Sequence, residues 1–283
     1  MPLDQVDVDA MEDRESAEMS FIDHLDALRK HLVRAVAVFL VCAVAAFSAK
    51  DFIFNDIIFA PTRSDFPTYS GLCWLSHNLG LGESMCLKFE APFKIINTDM
   101  SGQFTMHMQV AGVLGFILSF PYIFWEIWRF IKPGLHRKEV KYTQGIIFFI
   151  SMLFTLGVLF GYYIMTPFSV NFFATYQVSS QVENFFSLES YISFLTMFTL
   201  LSGIIFELPI AVYFLTKLGL VTPDLMRNYR RHAIVILLII SAIITPADVG
   251  SQVMVFIPVF ILYELSIFIS ARVVRNMEAD EEN

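Results

Sequence analysis

The stretch from Tyr142 to Thr216 reads YTQGIIFFISMLFTLGVLFGYYIMTPFSVNFFATYQVSSQVENFFSLESYISFLTMFTLLSGIIFELPIAVYFLT. Its 75 residues hold no Lys or Arg, and its carboxylates are Glu183, Glu189 and Glu207. Two apolar runs lie inside it, Gly145 to Met165 and Ile192 to Leu215. Each is close to the ~20 residues that carry a helix across ~30 Å of hydrocarbon, so the pair is read as a transmembrane hairpin. Glu207 falls inside the second run, two residues before Pro209. A carboxylate there costs ~2.5 kcal/mol or more on insertion scales, which makes it a functional lead.

Composition agrees with a membrane protein. The chain is 56% hydrophobic with 30 Phe and only 16% charged residues, against roughly 45–50% apolar and 25% charged in a soluble domain. The net charge of −8 comes from the ends: residues 1–23 hold eight acids and one base, and residues 276–283 hold four acids. Both ends, 1–19 and 273–283, read as solvated acidic tails. The N-terminus lacks a basic region followed by an apolar core and a small-residue cleavage site, so no removable signal peptide is expected.

Four more apolar segments bring the set to six spans, at about 33–49, 106–128, 145–165, 192–215, 232–245 and 253–270, within a membrane domain of residues 20–272. The bases test this order. Arg29, Lys30 and Arg34 precede span 1; Arg129, Lys132, Arg137, Lys138 and Lys141 follow span 2; Lys217, Arg227, Arg230 and Arg231 follow span 4; Arg272 and Arg275 follow span 6. The other side has Lys50, Arg63, Lys88 and Lys94, all in one long loop. By the positive-inside rule both termini are cytoplasmic. The expected fold is an all-α integral membrane protein with six transmembrane helices, of which the fifth and sixth are short. Span 5, with about 12 apolar residues, reaches only ~18 Å, so the bilayer thins there, the helix extends through its flanks, or the pair is re-entrant. In the long external loop Cys73 and Cys86 are either bridged or two free thiols, and Cys42 lies mid-span.

Enzyme signatures such as G-x-S-x-G, H-E-x-x-H or a phosphate-cradling glycine loop are missing, and the six His are scattered. No catalysis, metal or cofactor is expected. Nucleic acid is not expected either, because topology already explains the placement of the bases.

Before span 1, Phe21, Leu25, Leu28 and Leu32 fall on one helical face, and Ser20 precedes them with Asp23 three residues on. The spacing predicts a short amphipathic helix, capped by Ser20, lying along the cytoplasmic surface and leading into span 1. Between spans 2 and 3, Glu139 is a lone acid among five bases. From spacing alone an internal surface ion pair, to Lys138 or Lys141, accounts for it better than a binding site does.

Residues His24–Leu32, Phe130–Glu139, Phe206-Glu-Leu-Pro209 and Thr245-Pro-Ala-Asp-Val-Gly-Ser-Gln252 together resemble the TatC family, the polytopic core subunit of the twin-arginine protein translocase. The resemblance runs in the same order from residue 20 to about 272. It implies a receptor in the cytoplasmic membrane that binds the paired-arginine signal peptides of folded proteins. The receptor would be homo-oligomeric and would work with single-span TatA- and TatB-type subunits, driven by the proton-motive force. Guanidinium groups call for carboxylates in fork geometry, for which lysine is a poorer ligand. The resemblance places Glu139 and Phe130 at the signal-peptide site beside Arg29. The family's glutamate before the Leu-Arg pair is replaced here by Ala27; Asp26 is the first candidate to stand in for it and Asp23 the second, the remaining alternative being that no second carboxylate does. Glu207 matches the family's intramembrane glutamate. With Thr245 and Gln252 it forms either an interhelical hydrogen bond that holds the bundle together or a polar patch that docks a partner helix. Pro209 and Pro121 are expected to bend their spans.

Two other readings compete: a proton-coupled small-solute transporter using Glu207 and Glu264 as relay carboxylates, and a scaffold for membrane assembly. The absence of an internal repeat in the sequence weighs against the transporter.

Overall fold

The computed structural model describes residues 21–78, 80, 94–131, 143–179, 181–182, 184–245 and 249–281. Helix α1 (Phe21–Ser48) is followed by a short turn, a π-helical segment (Ile53–Ile58) and α2 (Pro67–Asn78). Strand β1 (Lys94–Ile96) leads to α3 (Gly102–Ile131); α4 (Thr143–Phe160), a π-turn (Gly161–Met165) and α5 (Thr166–Thr175) then form one continuous rod. Strand β2 (Phe185–Ser187) pairs in parallel with β1, and α6 (Leu188–Phe206) continues after a break into α7 (Leu208–Lys217). The short α8 (Pro223–Asn228) and α9 (Arg230–Ile244) precede the long α10 (Val249–Glu281).

Among the described residues, five helical segments are long and apolar enough to cross a membrane: Leu25–Ser48, Gly102–Phe130, Ile147–Thr175, Leu188–Lys217 and Gln252–Met277. Only 11% of the apolar window of the first is buried in the protein, and large residues such as Val41, Phe148 and Ile243 face outward. That outward apolar surface suits hydrocarbon, where each helix satisfies its own backbone. The 15 residues of α9 extend about 22 Å, short of a full crossing.

The amphipathic segment and the first span are one unbroken helix, with no turn between them. Residues 21–48 contain neither Gly nor Pro, so nothing stops propagation once the helix has nucleated. At the other end α10 runs on through residues 273–281, where the sequence reading placed a solvated tail.

Helices α1 and α3 pack antiparallel along their length. At one end the His107 imidazole donates to the Phe47 carbonyl (3.0 Å) and stacks on the Phe47 ring. At mid-height a Cβ on Gly115 would lie 2.7 Å from the Ala43 backbone. Between α4 and α6 a Cβ on Gly157 would come within 2.6 Å of the Ser202 carbonyl, and one on Gly161 within 2.6 Å of the Phe198 carbonyl. These glycines let backbones approach where lipid offers no hydrophobic drive to helix association.

The segment between α1 and α2 holds irregular backbone, and tyrosine hydroxyls satisfy it. Tyr162 donates to the Ile57 carbonyl (2.7 Å), Tyr191 to Ile58 (2.6 Å) and Tyr69 to Pro61 (2.8 Å). Pro167 has no N–H for the carbonyl of Tyr163, and the Thr68 hydroxyl takes that acceptor instead. Cys73 on α2 is disulfide-bonded and Cys42 is a free thiol; Cys86, the partner considered from the sequence, lies outside the described residues.

Gly157→Ala and Gly161→Ala should each destabilise by ~1–3 kcal/mol through overpacking. Gly112→Ala in α3, where a Cβ meets nothing within 4 Å, should be neutral or gain up to ~1 kcal/mol from helix propensity. Thermal unfolding in detergent reads the difference, and equal melting points for all three would contradict the packing assignment.

Candidate functional site

The charged end of α1 meets the end of α3 around a buried carboxylate. Glu126 is 1% exposed. The His31 Nδ1 donates to its Oε2 (2.5 Å), the Tyr122 hydroxyl to its Oε1 (2.8 Å), and the Arg129 guanidinium stands 3.7 Å from Oε1. Spacing explains the convergence: Tyr122, Glu126 and Arg129 are four and three residues apart on one face of α3. His31 reaches across from α1. Burying a carboxylate is tolerable when donors surround it, and this one has two hydrogen bonds and a nearby cation.

Around this centre lie several predicted residues. The Phe130 ring stands edge-on to His31 at 6.3 Å, and the Arg129 guanidinium lies 4.9 Å from the centroid of the Trp125 ring. Asp26 is drawn away from the centre and pairs with Lys30 on an exposed flank at 2.7 Å. Arg29 is exposed. The backbone at Asp23 is helical, but its side chain is outside the described set, as is all of Glu139.

Glu207 sits at the break between α6 and α7. Pro209 cannot donate to the carbonyl four residues earlier, and the chain turns there: the Glu207 carbonyl accepts from both Ile210 and Ala211 at 3.0 Å. Its side chain is half-buried, and Oε1 is shielded without a hydrogen-bond partner among the described residues. Gln252 donates to the Leu238 carbonyl (3.2 Å), tying α10 to α9, while Thr245 bonds back to the Ser241 carbonyl of its own helix (2.8 Å). No hydrogen bond joins Glu207, Thr245 and Gln252 among the described residues. Glu264 accepts from Arg230 at 2.8 Å, so its charge is already matched, whereas a relay needs a group free to exchange a proton. Asp248 lies outside the described residues.

The family described as Sec-independent protein translocase protein (TatC) matches residues 23–258. The chain belongs to the TatC family. The TatC protein of a Blattabacterium from Periplaneta americana is 43% identical over 260 residues, covering 90% of this chain and 96% of that one. The TatC of Halalkalibacterium halodurans is 31% identical over 265 residues, covering 94% of each. A crystal structure of the twin-arginine translocase receptor TatC superposes with a TM-score of 0.67 at 30% identity, covering 89% of this chain and 99% of the other.

Within this TatC chain the centre around Glu126 escaped the sequence reading. The signal was present: a carboxylate inside an apolar run, flanked by Trp125 and Trp128, is as costly as the one at Glu207. Its closeness to the bases after Trp128 disguised it as part of a charged boundary. His31→Leu should cost ~3–5 kcal/mol by leaving the carboxylate short of a donor. Tyr122→Phe should cost ~1.5–3 kcal/mol. Unfolding in detergent would measure both, and losses under ~0.5 kcal/mol, typical of plain surface changes, would argue against the network.

Proposed function

We propose that this TatC chain is the receptor and core subunit of a twin-arginine protein translocase. The reading is carried by similarity to a solved twin-arginine translocase receptor at 30% identity over nearly all of that receptor's length. The chain spans the cytoplasmic membrane six times, with α9 as a short fifth crossing in locally thinned bilayer and both termini in the cytoplasm. Fourteen bases on one side support that orientation.

Signal peptides bearing paired arginines bind at the basic end, at Arg29 and Phe130 and at Glu139, which lies outside the described residues. Glu139 supplies a carboxylate for one guanidinium. Glu207, Thr245 and Gln252, which no hydrogen bond joins among the described residues, meet TatA- and TatB-type helices, which together with the proton-motive force carry the folded cargo across. The half-buried Glu207 carboxyl, with one oxygen unpartnered, supports a helix-docking role. No observation on Glu264 favours the transporter, since Arg230 occupies it.

The test is binding of an Arg-Arg signal peptide to the detergent-purified chain, against the same peptide with Lys-Lys. The Arg-Arg peptide should bind more tightly, Glu139→Gln should weaken it about tenfold or more, and salt should weaken it further. Equal binding of the two peptides by a folded parent protein would overturn the receptor reading, and solute uptake by the chain alone would replace it with the transporter.

A further inference from the structure

A carboxylate offers four lone-pair positions, and among the described residues Glu126 uses two, for His31 and Tyr122. What stands in front of the remaining positions is a guanidinium. Arg129 lies 3.7 Å from Oε1, beyond hydrogen-bonding distance, with its other flank over the Trp125 ring and 44% of its side chain exposed. A carboxylate backed by an indole face is the pairing that recognises arginine, through charge-assisted bonds on one edge and cation–π contact on the plane. Here it is loosely filled, because Arg129 is tethered three residues along the same helix and cannot turn its fork squarely onto the carboxylate.

The opposing wall is α1. Ala27 lies one turn before His31 on the same helical face, and side chains on a helix lean toward its N-terminus, so the His31 ring extends over Ala27. Ala27 brings only a methyl group to that face. An acidic side chain at position 27 would put a second carboxylate next to Glu126. Asp26, the first candidate from the sequence, points to Lys30 instead.

We propose that Glu126, delivered from α3, is a guanidinium-binding carboxylate of the signal-peptide site, and that Arg129 is its resting occupant, which one arginine of the peptide displaces. This rests on the receptor reading above. The exchange puts one guanidinium in place of another, so no bare carboxylate is left buried at any point, and the displaced Arg129 is already half in solvent. A lysine ammonium cannot engage both oxygens and the indole plane together, so the exchange favours arginine.

The test uses the full chain in detergent and a fluorescent Arg-Arg signal peptide. Glu126→Gln should weaken binding about tenfold or more and remove the preference over Lys-Lys. Adding Ala27→Glu to Glu126→Gln should restore binding, because it returns a carboxylate to the same place from the other helix. Failure to restore would mark Glu126 as scaffolding and overturn the proposal. Arg129→Gln should tighten binding several-fold, and that gain should vanish in the Glu126→Gln background. A gain that survives there reports general repulsion and also overturns it. If Glu126→Gln does not fold, Arg129→Gln is read at about 1 M salt, where charges beyond ~3 Å are screened: a retained gain supports the proposal and a lost one overturns it. Absence of peptide binding by the parent chain sinks the receptor reading itself. Binding that responds to Glu139→Gln, but not to Glu126→Gln or Arg129→Gln, sinks this inference alone.

Discussion

Hydrocarbon cannot hydrogen-bond a peptide group, and the rest of the structure follows from that constraint. Each long segment closes its own backbone bonds as a helix and turns apolar side chains outward, so the bundle needs no conventional core around α1. Irregular backbone falls between α1 and α2, where Tyr69, Tyr162 and Tyr191 bring hydroxyls to its carbonyls. Pro167 and Thr68 show the same rule at one acceptor: the proline removes a donor, and a hydroxyl from α2 replaces it.

With no hydrophobic drive between helices in lipid, association depends on close backbone contact and on polar clasps. The α1–α3 pair uses both, with the Gly115–Ala43 contact at mid-height, the His107–Phe47 bond at one end and the His31–Glu126 bond at the other. The α4–α6 pair relies on Gly157, Gly161 and Gly203, which admit Phe154 and the backbone of the facing helix. Rigid pairs of this kind hold the polar ends in register, so a side chain on α1 can complete a site based on α3.

Five of the six expected spans have a counterpart helix long and apolar enough to cross, and they were legible because apolar length and the absence of bases are one-dimensional signals, readable residue by residue in Tyr142–Thr216. The break at Glu207 was legible for a similar reason, since Pro209 acts on its own chain. What the sequence hid was pairing across helices. Asp26 looked available until Lys30, four residues on, took it, and Glu126 looked like a boundary charge until His31, 95 residues away in sequence, reached it. The continuity of α1 was hidden differently. Amphipathic and fully apolar patterns differ in what surrounds a helix, not in whether the helix stops.

A buried carboxylate that is already paired contributes little net stability, because desolvation cancels most of the Coulomb gain. Such a group persists for specificity, or because its partner can be exchanged. At Glu126 the partners fall into two kinds. His31 and Tyr122 hold it at hydrogen-bonding distance and fix its orientation, whereas Arg129 stands 3.7 Å off, over an indole face and half in solvent. The first pair builds a preorganised acceptor; the third leaves its strongest directional bonds unmade. Those unmade bonds can be realised by a guanidinium free to approach head-on, and the rigid α1–α3 clasp keeps the acceptor aimed while the occupant changes.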